Sequence, residues 1–135
     1  MGKQLRQQRR GKGGAVYRNP GHRQIGSIRY PNVDAGSGKI VDLVHAPGRS
    51  SPLAKIDFSG ERVLMLAAEG MTVGNTVSYD LGATDLSPGN VVPLSAVPEG
   101  SFVYNIEGQP GDGGKFVRVA GASETVVSRG NKVVV

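Results

Sequence analysis

The chain has 135 residues and a net charge of +5, with 21 glycines, 3 Phe, 4 Tyr and no Trp. It has no cysteine, which excludes a disulfide scaffold, a thiolate zinc site and a cysteine nucleophile. No apolar run approaches the roughly 20 residues of a membrane span, and no apolar stretch follows the basic N-terminus as a secretory signal would require; a soluble cytoplasmic protein with an acidic partner is expected.

The charge is unevenly placed. Residues 1–30 hold Lys3, Arg6, Arg9, Arg10, Lys12, Arg18, Arg23 and Arg29 with no Asp or Glu, while residues 31–135 hold eleven acids against eight bases. A cationic arm on a mildly acidic body is a sign of nucleic-acid binding. The arm offers almost nothing to bury. Between Met1 and Gly14 only Met1 and Leu5 are apolar, and Gly11, Gly13 and Gly14 loosen the chain. Such a segment cannot offset the entropy of ordering, and its charges repel one another, so a polyanion is needed to order it. The alternative is a solvated tail without a partner. Arginine prevails over lysine here, and its planar fork suits phosphates and base faces.

From about Ile40 the pattern predicts short strands between turns. Lys39–His45 reads as the first strand, broken by Ala46-Pro47-Gly48. In Leu53–Phe58 the residues Ala54, Ile56 and Phe58 share a face. Ser59-Gly60-Glu61 reverses the chain into Arg62–Ala67, giving a hairpin. Ala67–Gly70 reads as one helical turn stopped by Gly70. Thr76–Tyr79 is a further strand, and the Gly- and Pro-bearing stretch Leu81–Asn90 marks a subdomain boundary. Beyond it come strands at Asn90–Leu94, Ser101–Glu107 and Lys115–Ala120, a glycine-rich loop at 108–114, and a hairpin of Thr125–Ser128 with Lys132–Val135. The division expected is a basic extension over 1–36, one small barrel over 37–82 and another over 83–135. The chain stops at Val133-Val134-Val135 within an apolar strand, which predicts that it continued in its parent or that a partner covers this edge.

Several motifs invite chemistry. Gly36-Ser37-Gly38-Lys39 and Gly111-Asp112-Gly113-Gly114-Lys115 suggest phosphate loops, but Val33 and Gln109 stand where the first glycine is required. Ile40 and Phe116 replace the Ser or Thr that would hold magnesium. His22 and His45 are the only histidines and have no nearby ligand cluster. His22, between Gly21 and Arg23, suits a base or phosphate; His45 suits a structural hydrogen bond or an RNA contact. The 108–114 loop is either a turn needing positive φ or a place where backbone approaches a phosphate, with Lys115 and Arg118 supplying charge. Arg49-Ser50-Ser51 is a second such loop. The candidate RNA-binding residues are therefore the eight bases of the arm, His22, Arg49, Lys115 and Arg118. No catalytic residue, metal site, cofactor or small-molecule substrate is expected.

The order of motifs is distinctive. It runs Gln7-Gln8-Arg9-Arg10-Gly11-Lys12-Gly13, Gly21-His22-Arg23 and His45-Ala46-Pro47-Gly48-Arg49-Ser50-Ser51-Pro52. It continues through Leu66-Ala67-Ala68-Glu69-Gly70-Met71, Ser87-Pro88-Gly89-Asn90-Val91-Val92-Pro93-Leu94, Val97-Pro98-Glu99-Gly100, Asn105-Ile106-Glu107 and Pro110-Gly111-Asp112-Gly113-Gly114-Lys115-Phe116. Nearly the whole chain resembles the second-protein family of the large ribosomal subunit, in its archaeal and eukaryotic form. The resemblance implies a mainly β protein, an OB-fold barrel followed by an SH3-like barrel, whose basic extension threads into large-subunit ribosomal RNA. It also implies neighbouring ribosomal proteins as partners and a role in subunit joining and around the peptidyl transferase centre. The family is longer, and its C-terminal extension has no counterpart here. Ala46 stands where the family usually has an acid, and Val119 and Ala122-Ser123-Glu124 depart from its usual pattern. A free RNA-binding translation or transcription factor built on a small barrel is the alternative.

Overall fold

The computed structural model describes residues 2–32, 35–80, 86–130 and 132–135. Its centre is an antiparallel sheet of β1 (Ala35–Val44), β2 (Leu53–Phe58), β3 (Glu61–Leu66) and β4 (Thr76–Asp80), in the spatial order β3-β2-β1-β4. β2 and β3 form the expected hairpin. Ser59 and Gly60 occupy its turn with φ of 51° and 98°, as a two-residue reversal of this hand requires. The Gly60 amide donates to Asp57 Oδ1 at 2.8 Å.

β1 begins four residues earlier than the apolar alternation indicates, because its two halves have different partners. Ala35–Lys39 pairs with β4, and Lys39–Val44 pairs with β2 across a register shift between Ile40 and Asp42. Gly38 lies where these halves meet. A Cβ there would come within 2.6 Å of Ile56 Cγ2 and 2.9 Å of the Phe58 ring, so only glycine lets β1 lie this close to β2. Gly38→Ala should destabilise the fold by about 1–3 kcal/mol, the usual range for overpacking a filled core, read as a lower thermal midpoint.

The core has two parts. Ile40, Ala54, Ile56, Phe58, Val63, Met65, Met71 and Val77 fill the sheet's inner face. Ile28, Ala46, Leu53 and Leu66 form a second cluster. Ala46 is only 4% exposed; an acid at this position would put a carboxylate among apolar neighbours, at a high desolvation cost unless paired.

The second half is less regular than its sequence suggests. The expected strand at Asn90–Leu94 reduces to a single bridge between Val91 and Tyr79, followed by a 3-10 turn at Leu94–Ala96. Ser101–Glu107 forms only β5 (Phe102–Val103), because Asn105 turns to φ 50°. Lys115–Ala120 is not a strand: Val117 sits at φ 55°, and Phe116 alone bridges to Ile106. A β-branched residue resists that conformation, and here the Asn105 amide donates to the Val117 carbonyl at 3.0 Å. Thr125 belongs to β6 (Glu124–Thr125), which pairs with β5 instead of joining the last hairpin. That hairpin is β7 (Ser128–Arg129) with β8 (Val133–Val134); Asn131, between the two expected strands, lies outside the described residues. Ala67–Gly70 forms a turn, not a helical one, with Gly70 at φ 84°. Of the expected boundary stretch, 81–85 also lies outside the described residues.

Ile28–Tyr30 straps the two halves together. Ile28 is buried in the second cluster, and the Arg29 amide donates to the Leu64 carbonyl at 3.2 Å. The Tyr30 hydroxyl donates to the Asn105 carbonyl at 2.6 Å and accepts from Asn105 Nδ2 at 3.0 Å. Asn105 is 3% exposed, so this bond pair is made away from water. Tyr104 reaches the other way, its hydroxyl donating to the Leu66 carbonyl at 3.4 Å.

Candidate nucleic-acid interface

The arm approaches the body but contributes almost nothing to its core. Residues 2–27 are exposed except for Gly13. α1 (Arg6–Arg10) is a five-residue helix with no buried side chain, and 3-10 turns follow at Ala15–Tyr17 and Gly21–Arg23. So short a helix is marginal in water. Arg6 and Arg10, at i and i+4, repel each other across one face, and a polyanion would relieve that repulsion. Among the described residues, none of the seven bases from Lys3 to Arg23 pairs with a carboxylate; the ion pairs are Arg29–Glu61, Lys55–Asp42 and Lys115–Asp112. His22 is exposed in the second 3-10 turn, between these bases.

Arg49 is brought to the arm. Gln24–Gly26 and the Ala46–Arg49 turn enclose a cleft of about 220 Å³, and the Asn19 side chain lies against Gly48. The turn that breaks β1 from β2 thus carries Arg49 beside the end of the cationic run, a gathering that the sequence order conceals.

The other expected contacts sit differently. Arg29 spans 3.0 Å to Glu61 and remains largely exposed. Lys115 is exposed and 3.4 Å from Asp112. Arg118 is half-buried, its Nε without an acceptor, and it lines a cavity between the two halves away from the arm's cleft. The glycine-rich loop does not offer its backbone outward. The amides of Gly108, Gln109 and Gly114 donate to Asp112, and those of Gly111 and Gly113 donate to Glu107. Five donors that could cradle a phosphate are thus used by the loop's own carboxylates. Sequence reasoning missed this cage. The available signal was the pair of acids within a run of glycines, since a short carboxylate readily caps nearby amides.

Desolvation disfavours the Asp112 carboxylate, but the amides of Gln109, Gly114 and Gly108 and the Lys115 ammonium outweigh it and hold its carboxyl below the ordinary value. Burial pushes the Tyr104 phenol up to about 12 and raises that of Tyr30 further, with Tyr104 and Glu107 adding to the latter and the Asn105 hydrogen bond opposing. Both phenols therefore stay protonated as donors at neutral pH. A phenol raised on folding contributes stability that is complete below its unfolded value near 10.0 and is lost as pH rises toward 12. Denaturant midpoints measured from pH 8 to 12 should be flat to about pH 10 and fall above it.

Among the described residues no group of three or more His, Cys, Asp or Glu could hold a metal ion. No helix among them is long and apolar enough to cross a membrane.

Comparison with known proteins adds to this geometry. Residues 2–79 match the family described as Ribosomal Proteins L2, RNA binding N-terminal domain, and residues 87–135 match Ribosomal Proteins L2, C-terminal domain. The chain is 45% identical over 132 residues to large ribosomal subunit protein uL2 of Natronomonas pharaonis, covering 95% of this chain and 54% of that protein. It is 44% identical over 135 residues to uL2 of Methanopyrus kandleri, covering 95% and 55%. It is 46% identical over 128 residues to uL2 of Methanocaldococcus jannaschii, covering 90% and 52%. The chain thus spans about half the length of the curated relatives it matches. Its mainly β architecture, with an OB-fold barrel preceding an SH3-like one, is that of these domains. By the extent of these matches, the chain belongs to the ribosomal protein L2 family.

Proposed function

We propose that this chain is a structural, non-enzymatic component of the large ribosomal subunit in the cytoplasm, where it binds and stabilises large-subunit ribosomal RNA. The observation that carries this reading is the arm: seven exposed bases from Lys3 to Arg23, none paired with a carboxylate among the described residues, in a segment within the matched RNA-binding domain. These bases, with His22 and the adjoining Arg49, neutralise phosphates, and Arg29 and Lys115 lend exposed charge nearer the body. RNA is read through shape and backbone more than through base edges. The two β modules anchor the arm's end through Ile28–Tyr30, so the chain enters the RNA in one direction. Neighbouring ribosomal proteins share that RNA scaffold, and through it the chain supports subunit joining and the RNA around the peptidyl transferase centre.

The test is sedimentation. Tagged chain expressed in an archaeal host should migrate with large subunits on a sucrose gradient and remain with them through a moderate-salt wash. A chain found only at the top of the gradient would refute the assignment and favour a free RNA-binding factor.

A further inference from the structure

The Ile28–Tyr30 strap is the root of the cationic arm, and the sheet alone holds it lightly. Among the described residues one main-chain bond ties it to the sheet, from the Arg29 amide to the Leu64 carbonyl. The Arg29–Glu61 ion pair is largely exposed, where such pairs contribute little. The strap's other support is the glycine-rich loop. A Cβ on Gly113 would touch Arg29 Cα at 3.4 Å and the Ile28 carbonyl at 3.5 Å, so the loop's main chain lies directly against the strap's. A Cβ on Gly114 would overlap the side chain of Asn105, which donates to the Tyr30 hydroxyl. Gly113 and Gly114 are both buried, at φ 80° and 89°, conformations that glycine adopts freely.

Four glycines within residues 108–114 would by themselves leave this support loose. Two carboxylates remove that freedom. Glu107 Oε1 accepts from the Gly113 amide at 3.0 Å and Oε2 from the Gly111 amide at 3.2 Å. Asp112 Oδ1 accepts from the Gly114 amide at 3.0 Å, and Oδ2 from the amides of Gly108 and Gln109 at 2.9 and 3.0 Å. The glycine that abuts the strap and the one that abuts Asn105 are thus each held by a different acid. We infer that the 107–114 loop is a carboxylate-locked clamp that fixes the direction in which the arm leaves the body, with Glu107 and Asp112 as positioning residues for RNA binding. A fixed root leaves the arm less conformational freedom to lose when it meets RNA. The inference rests on the proposed RNA-binding role, and it reverses what charge alone dictates. An acid repels phosphates, so by electrostatics its removal strengthens binding; removal of Glu107 weakens binding if the clamp positions the arm.

Two measurements on the full chain test this. The chain has no cysteine, so Ser27→Cys and Val127→Cys together accept two nitroxide labels, one beside the strap and one on the second module. Interspin distances in the free protein should form one narrow distribution, and Glu107→Ala should broaden it. Filter binding to large-subunit ribosomal RNA is then measured on the unlabelled variants. Glu107→Ala should bind about tenfold more weakly, the equivalent of ordering roughly one further residue on binding. The slope of log affinity against log salt should not change, because the same phosphates are engaged. Glu107→Gln removes the same charge but keeps an acceptor for the Gly113 amide, and should recover most of the loss. Glu124→Gln, on an exposed strand residue, also removes one negative charge and should bind no more weakly than the parent. Should Glu107→Ala fail to fold, Asp112→Asn, which keeps one of the two capping oxygens, should show the same direction in distance and affinity. An affinity that rises or stays level, a slope that flattens by about one or more, or an unbroadened distance would overturn the clamp. A parent chain that does not bind the RNA would refute the ribosomal reading instead, and the distance measurement would still decide whether the loop fixes the strap.

Discussion

Removal of residues 2–23 lowers affinity for large-subunit ribosomal RNA by about 10³-fold or more near physiological salt, by our account, because it deletes seven phosphate-neutralising bases at once. The body should remain folded. Residues 2–27 place no side chain in either core cluster, so the thermal midpoint should move by no more than about 2 °C. The cut must end before Ile28. A deletion through residue 30 would also remove Ile28 from its cluster and break the Tyr30–Asn105 bonds, confusing lost binding with lost folding. Filter binding and differential scanning calorimetry on the same preparation separate the two effects. Unchanged affinity would show that the arm is not the anchor, and an unfolded body would show that the arm is structural.

Asn105→Ala carries the largest expected loss of stability, about 2–5 kcal/mol. It removes the donor to Tyr30 in a buried site, at about 1–3 kcal/mol. It also puts alanine at φ 50°, a conformation that asparagine tolerates and alanine resists by about 1–2 kcal/mol. Tyr30→Phe should cost less, about 1–3 kcal/mol, since it leaves the Asn105 carbonyl and amide unpaired without changing the backbone. The double variant should lose less than the sum, because both substitutions break the bond from Asn105 Nδ2 to the Tyr30 hydroxyl. Urea melts of the four proteins complete the cycle. Strict additivity would mean that the strap does not couple the two halves. Gly114 belongs to the same assembly, for a Cβ there would overlap the Asn105 side chain.

What the sequence discloses depends on whether the signal is local. β2 is read to the residue because Ala54, Ile56 and Phe58 alternate into one core. The first half of β1 is missed because Ala35-Gly36-Ser37-Gly38 has no alternation to show; its strand character comes from pairing with β4, some forty residues away. The strands of the second module are overread for the opposite reason. Their alternation is good, but positive φ at Asn105 and Val117 breaks them, and that turn is imposed by contacts with Tyr30 and between the two segments themselves. The same contrast holds at the interface. The arm's bases are legible because a run without acids needs no fold to be cationic. Arg49 becomes part of that surface only when its turn meets Gln24–Gly26. The inward-facing amides of the glycine-rich loop cannot be foreseen from glycine count, since Glu107 and Asp112 must first fold back over them. Arg118, a basic residue in a promising place, lies half-buried in a cavity wall for reasons that only the packing of the two modules supplies.

The central claim is that a flexible cationic leader grips RNA by displacing counterions. Its most direct test is the dependence of ribosomal RNA affinity on salt for the intact chain. With six to eight phosphates engaged, log affinity against log salt should fall with a slope of about −4 to −7. A slope near −1 would contradict the claim, because one or two released ions cannot come from seven bases held against a polyanion.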